Sequence, residues 1–296
     1  MDGAEEILAR EGGAAHMSTT YRLNRLFHPR SARCLDVAVD HGFFGESSFL
    51  RGIEHLPTAV ATLADAGPDA IQLTLGQAHL LQRVPGRQKP ALVLRTDIAN
   101  VYGQQLPEHL YSAVIDDAVG QAVRLDATCV VVNLFALPDR ADVHEACVRN
   151  ITALKPAAEA CGVPLMIEPL AMAQASDAGG YRSDGDADRI TTLVRQAVEL
   201  GADVIKCDPT TDPADVARVV ETAGEIPVLI RGGGKVDDRE LLNRTSGVLG
   251  AGAKGIVYGR NIIQHTDPAG MTRALMGLLH DGLDVDDAQA LIGADR

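Results

Sequence analysis

Tryptophan is absent from this 296-residue chain, and aromatic residues make up only 3% of it. Any core must therefore be filled by aliphatic side chains, and a hydrophobic content of 46% is ample for that. Positive charge is also scarce: 27 Lys and Arg stand against 40 Asp and Glu, a formal net charge of −13. Such a balance excludes nucleic acid as a general partner, and it requires any anionic ligand to be held by a local cationic pocket. No apolar run reaches the roughly 18 residues of a membrane span. The first residues show no basic-then-apolar signal pattern. Cysteine is limited to Cys34, Cys129, Cys147, Cys161 and Cys207, an odd number without CxxC spacing. That usage fits reduced thiols in a cytoplasm better than a disulfide framework or a zinc site. A soluble cytoplasmic protein is expected.

What the chain does have is alternation. Strand-like runs at 34–40, 70–76, 91–97, 129–135, 165–171, 203–209, 227–233 and 255–260 are separated by stretches with helical spacing, such as DRITTLVRQAVELG (188–201). Eight strand–helix repeats over about 250 residues predict a (β/α)8 TIM barrel. A doubly wound sheet fits less well, since no GxGxxG follows the first run. Residues 1–30 read as an N-terminal helical extension: a helical stretch, the pliable EGGAAHMSTT, then a short helix. Residues 31–282 form the barrel, and 283–296 a surface or frayed tail helix.

Parity within the runs divides two faces, because successive strand side chains point oppositely. Aliphatic residues such as Leu35, Val37, Ile71, Leu92, Val130, Ile167, Ile205 and Val228 share one face. The other collects Asp36, Asp40, Gln72, Thr74, Arg95, Asp97, Asn133, Glu168, Lys206, Asp208 and Arg231, which would project into one lumen near the strands' C-terminal ends. Barrel enzymes build their active sites there.

Lys206, in GADVIKCDPT (201–210), is the most informative of these. A buried ion-pair network in which Lys206 neutralises Asp40 or Glu168 accounts for its presence. So does nucleophilic chemistry, in which a lysine amine attacks a carbonyl, and the resulting Schiff base becomes an electron sink for breaking or making an adjacent C–C bond. Arg231 on the next strand offers a neighbouring cation, and Asp40, His41 and Glu168 are the acid/base candidates by strand position. A second constellation lies in PVLIRGGGK (227–235) and GAKGIVYGRNIIQH (252–265), two consecutive strands that end in glycine plus a cation. Tight turns explain glycines there, but so does a phosphate site after strands seven and eight, with a helix starting near Asn261 adding its N-terminal end.

With VDHG (39–42), GADVIKCDPT, PVLIRGGGK and GAKGIVYGRNIIQH, the chain resembles the class I Schiff-base aldolases of the deoxyribose-phosphate and archaeal-type fructose-bisphosphate superfamily over about residues 34–280. The resemblance implies that Lys206 forms the Schiff base and that Asp40 handles protons at the same carbon. It implies that Gly232, Gly233, Gly259 and Arg260 hold a phosphate, that no cofactor is needed, and that the protein is a homo-oligomer. One departure stands out. The archaeal-type enzymes carry a tyrosine general acid/base after strand five, whereas this chain reads MIEPLAMAQ (166–174), with Leu170 at that place and Tyr181 further along. Arg231 stands where those enzymes have a small residue, and Arg231 or Arg95 would suit an extra carboxylate on the substrate. The chain is also similar to actinobacterial barrel aldolases associated with inositol breakdown. That likeness implies cleavage of a phosphorylated deoxy-keto-gluconate to dihydroxyacetone phosphate and malonate semialdehyde.

Three rivals compete with a metal-independent aldolase. Metal-dependent aldol cleavage needs clustered ligands, but the nine histidines show no HxH or HxxxH spacing. A flavin or nicotinamide barrel would share the phosphate site and leave the lumen lysine idle. A catalytically silent sugar-phosphate-binding barrel is compatible with the missing tyrosine.

Overall fold

The computed structural model describes residues 14–86, 89–103, 105–175 and 180–294. Eleven strands form among them: β1 (Cys34–Ala38), β2 (Ala70–Thr74), β3 (Ala91–Arg95), β4 (Asp97–Ala99), β5 (Ser112–Val114), β6 (Cys129–Ala136), β7 (Leu165–Gln174), β8 (Tyr181–Ser183), β9 (Val204–Cys207), β10 (Val228–Arg231) and β11 (Gly255–Tyr258). Eight pair in parallel in the order β6-β3-β2-β1-β11-β10-β9-β7, and β6 pairs with β7 to close the ring. With helices interleaved, this is the expected (β/α)8 barrel. The strands outside the ring escaped the periodicity because they are three residues long. β4 and β5 make an antiparallel hairpin after β3, and β8 runs antiparallel against the end of β7.

The parity reading becomes two separate apolar layers. Leu35, Val37, Ile71, Leu92, Val130, Ile167, Ile205 and Val228 pack in the large cluster between barrel and helices. The alternate positions Cys34, Ala70, Val93, Cys129, Val131, Met166, Val204, Leu229 and Val257 form a second cluster inside the ring. Leu26, fully buried, belongs to that inner cluster, and Leu23 and Phe27 pack against it. The helix Ala14–Leu26 thus packs its last turn into the lumen floor. Residues 14–20, expected to be pliable, are helical instead, as an Ala-containing stretch with no internal Gly or Pro allows. The helical stretch expected ahead of them lies outside the described residues.

Local signals fix the outer elements. Asp186 caps the helix Ala187–Glu199 by accepting from the backbone N–H groups of Asp188 and Arg189, and Asp237 caps Asp238–Gly250 through Glu240 N–H. The tail helix Val285–Ala290 is docked rather than frayed, since Ala288 is fully buried. Among the described residues, no helix is long and apolar enough to cross a membrane.

Candidate active site

Ten of the eleven polar residues expected in the lumen are buried, and Arg231 is half-buried. Asp36, Gln72, Asp97 and Asp208 have no exposed surface, and Asp40, Arg95, Asn133, Glu168 and Lys206 are at most 4% exposed. Their partners form one chain of contacts across the ring. Lys206 Nζ lies 3.0 Å from Glu168 Oε2 and donates to Gln72 Oε1 at 3.3 Å. Gln72 Nε2 donates to Asp40 Oδ2 at 2.6 Å. Arg95 sits at the centre: Nε pairs with Asp40 Oδ2 at 2.7 Å, Nη1 with Asp97 Oδ1 at 3.3 Å, and Nη2 with Glu168 Oε2. Asp97 Oδ2 accepts from both the backbone and the side-chain nitrogen of Asn133. Asp40 Oδ1 and Glu168 Oε1 accept no bond from the described residues.

Burial raises each carboxyl, and the neighbouring cations decide the outcome. For Asp40, Arg95 and then Lys206 outweigh desolvation and bring the group down to about 2. Glu168 is likewise held below its ordinary value, by Lys206 and then Arg95. Asp36 lies deeper with no partner for either oxygen among the described residues, and desolvation wins, lifting it to about 7 against the pull of Lys206. Burial pushes the His41 imidazole down to about 4 despite the Asp40 anion, so it is neutral at physiological pH.

Two sequence expectations change. Arg95 is not free to hold a substrate carboxylate, because three protein carboxylates already occupy its nitrogens. Arg231 does not serve as a bare cation beside Lys206, because its Nε is paired with Asp208. Lys206 instead makes its close contacts with an anion and an amide.

Gly232, Gly233, Gly259 and Arg260 line the same pocket as Lys206, Asp40, Glu168 and Arg231. Gly259 is required by close packing: a Cβ there would meet His41 Cε1 at 2.3 Å. Gly233 has φ +59°, which glycine adopts without strain. The helix expected at Asn261 is a single turn, Arg260–Ile263, and Asn261 Nδ2 ties the glycine loop by donating to Gly234 O at 3.2 Å. Arg260 donates to Gly233 O at 3.1 Å and lies 4.8 Å over the Phe49 ring. It has no carboxylate partner among the described residues. Burial, and then the Arg231 charge, hold it below its ordinary value.

The aromatic wall of the pocket was not anticipated. Phe44 and Phe49 come from two short 3-10 turns after β1, and Tyr102 comes from the segment after β4. A compositional signal existed: the segment Phe43–Phe49 holds three of the five phenylalanines. No tyrosine arrives from β7. Leu170 is fully buried, and Tyr181, on β8, packs in the outer apolar core.

A closed parallel barrel with a lysine among carboxylates at its mouth defines a (β/α)8 enzyme. The model of the DeoC/LacD family aldolases matches residues 34–265, and the chain belongs to that family. It is a class I Schiff-base aldolase by family. It is 31% identical over 276 residues to an uncharacterized aldolase of Saccharolobus solfataricus, covering 92% of this chain and 97% of that protein. It is also 31% identical over 278 residues to the 2-amino-3,7-dideoxy-D-threo-hept-6-ulosonate synthase of Halobacterium salinarum, covering 93% and 96%. Among solved structures, an archaeal fructose-1,6-bisphosphate aldolase with its catalytic lysine bound to a carbinolamine intermediate superposes with a TM-score of 0.71 at 26% identity, over 88% of this chain and 99% of that one.

Proposed function

We propose that Lys206 is the Schiff-base lysine of an aldolase acting on a phosphorylated ketose or keto-acid sugar, with dihydroxyacetone phosphate as one product. The observation that carries this reading is the pocket itself. It joins an amine 3.0 Å from a carboxylate to a glycine-lined cradle with a cation that has no acidic partner among the described residues. The ketone carbon meets Lys206 Nζ, with Glu168 placed to take the ammonium proton. Attack gives a carbinolamine, and loss of water gives the iminium. Asp40 or Glu168, both anions, then removes the proton of the β-hydroxyl. The C–C bond breaks, its electron pair enters the enamine, and an aldehyde leaves. Backbone N–H groups of the glycine loops and Arg260 supply the phosphate site. The outer nitrogens of Arg231, which face no described carboxylate, suit a second anionic group such as a sugar carboxylate.

Intact-mass spectrometry after borohydride reduction with dihydroxyacetone phosphate tests the reading. Wild type should gain the mass of the reduced adduct, and Lys206→Ala should gain none while losing turnover by on the order of 10⁴-fold or more. An active Lys206→Ala enzyme would sink the assignment. Phosphate-ligand binding by the wild type without an adduct would favour a silent sugar-phosphate-binding barrel, a reading that the absence of a β7 tyrosine keeps in play.

A further inference from the structure

The steps above leave one proton unassigned, and this inference rests on that reading. After the aldehyde leaves, the enamine carbon must be protonated before the imine is hydrolysed, so the pocket needs an acid as well as bases. The two carboxylates that line it, Asp40 and Glu168, are held as anions by neighbouring cations and serve the earlier steps as bases. Asp40 takes bonds from Gln72 and Arg95, Glu168 pairs with Arg95 and Lys206, and Asp208 pairs with Arg231. His41 is spoken for by packing, with its ring against Gly259 and edge-on to Phe49, centroids 5.9 Å apart.

Tyr102 remains. Three aromatic rings from separate elements fix its ring edge-to-face: Phe44 at 5.1 Å, Phe49 at 5.5 Å and Phe135 of β6 at 6.3 Å. In a chain this poor in aromatics, four of the ten Phe and Tyr residues are thus gathered on one side of the mouth. The hydroxyl has no hydrogen-bond partner among the described residues, although Tyr102 lines the pocket together with Lys206, Glu168 and Arg231. Burial pushes the phenol up to about 12, with the Arg231 guanidinium pulling the other way, so it carries its proton at neutral pH.

We propose that Tyr102, reaching in from the segment after β4, is the general acid that protonates the enamine carbon bound to Lys206. The phenolic O–H bond breaks as the C–H bond forms, and the enamine nitrogen lone pair becomes the iminium π bond. The phenolate that results sits in the field of Arg231. It regains its proton through solvent from the carboxyl that took the β-hydroxyl proton, so the cycle closes without a co-reactant.

The test uses dihydroxyacetone phosphate alone, without an aldehyde partner. Exchange of its C3 hydrogen with D2O, followed by proton NMR, reports the carbon-protonation step, and borohydride trapping reports the imine. Tyr102→Phe keeps the ring packing and removes only the hydroxyl. Its trapping should stay within about twofold of wild type while exchange falls by roughly 100-fold or more, the range a positioned general acid supplies. Retained trapping with exchange within about threefold of wild type overturns the role of Tyr102 alone and leaves Lys206 standing. Lost trapping in the variant, with an unchanged circular dichroism spectrum, also overturns it and makes Tyr102 a binding group. A wild type that neither traps nor exchanges defeats the dihydroxyacetone phosphate reading, and this inference with it.

Discussion

The two ends of the barrel lumen are built from the same strand positions and have opposite chemistry. At the floor, alternate residues are Cys34, Ala70, Val93, Cys129, Val131, Val204 and Leu229, closed by Leu26. Two or four residues further along the same strands, the inward positions become Asp36, Gln72, Arg95, Asn133, Lys206 and Arg231. The floor can be read as ordinary core, held by area removed from water. The mouth carries buried charge whose desolvation is offset only by partners, an arrangement that stabilises little and is kept for chemistry. Stability therefore belongs to the lower half of the lumen, and the upper half holds the candidate site.

The sharpest way to break that division is at Arg95, which belongs to the mouth yet holds three carboxylates. Arg95→Met leaves Asp40, Asp97 and Glu168 without their shared cation, and should cost about 3–5 kcal/mol of stability along with activity. Denaturant midpoints measure it, and a variant as stable as wild type would show that the mouth network is not held by Arg95. At the floor, Leu26→Ala should cost roughly 2–4 kcal/mol through the cavity it leaves in the inner cluster, while kcat/KM stays within about twofold. A loss of activity without a loss of stability there would mean that the two halves of the lumen are coupled.

Asp36 lies on the border, and its effect should be the smallest and depend on pH. Its folded-state value, raised by burial to about 7, exceeds that of the unfolded chain. Between about pH 4 and 7 the folded protein therefore binds the extra proton, and stability falls as pH rises through that window. Asp36→Asn should raise stability by about 2 kcal/mol at pH 8, part of the roughly 4 kcal/mol that a shift of this size represents, because the amide remains buried. At pH 4 the gain should vanish. Thermal melts of both proteins at the two pH values decide it, and a gain independent of pH would mean that the Asp36 carboxyl ionises alike in the folded and unfolded chain.

The barrel, the inward and outward faces, and the joining of Lys206 with Asp40, Glu168, Arg231 and the glycine strand ends were legible in the sequence. A period of two fixes which side chains share a face, and eight repeats fix how those faces close. The partners were not legible. That Arg95 would be consumed by three carboxylates, that Arg231 would pair with Asp208, and that Arg260 would be left without an acidic partner among the described residues depend on strand stagger and rotamers, to which parity is blind. The three-residue strands β4, β5 and β8 were missed because they are too short for a period.

Tyr102 shows the same limit most clearly. It stands in an irregular segment with no periodic signal, and three rings, two from the turns after β1 and one on β6, pack around it beside the pocket that Lys206 also lines. Local sequence determined the strands, their faces and the lysine, since these follow from short-range alternation of apolar and polar residues. Only the closed ring decided which distant groups meet at the mouth, since burial and charge pairing are properties of contacts between residues far apart in the chain.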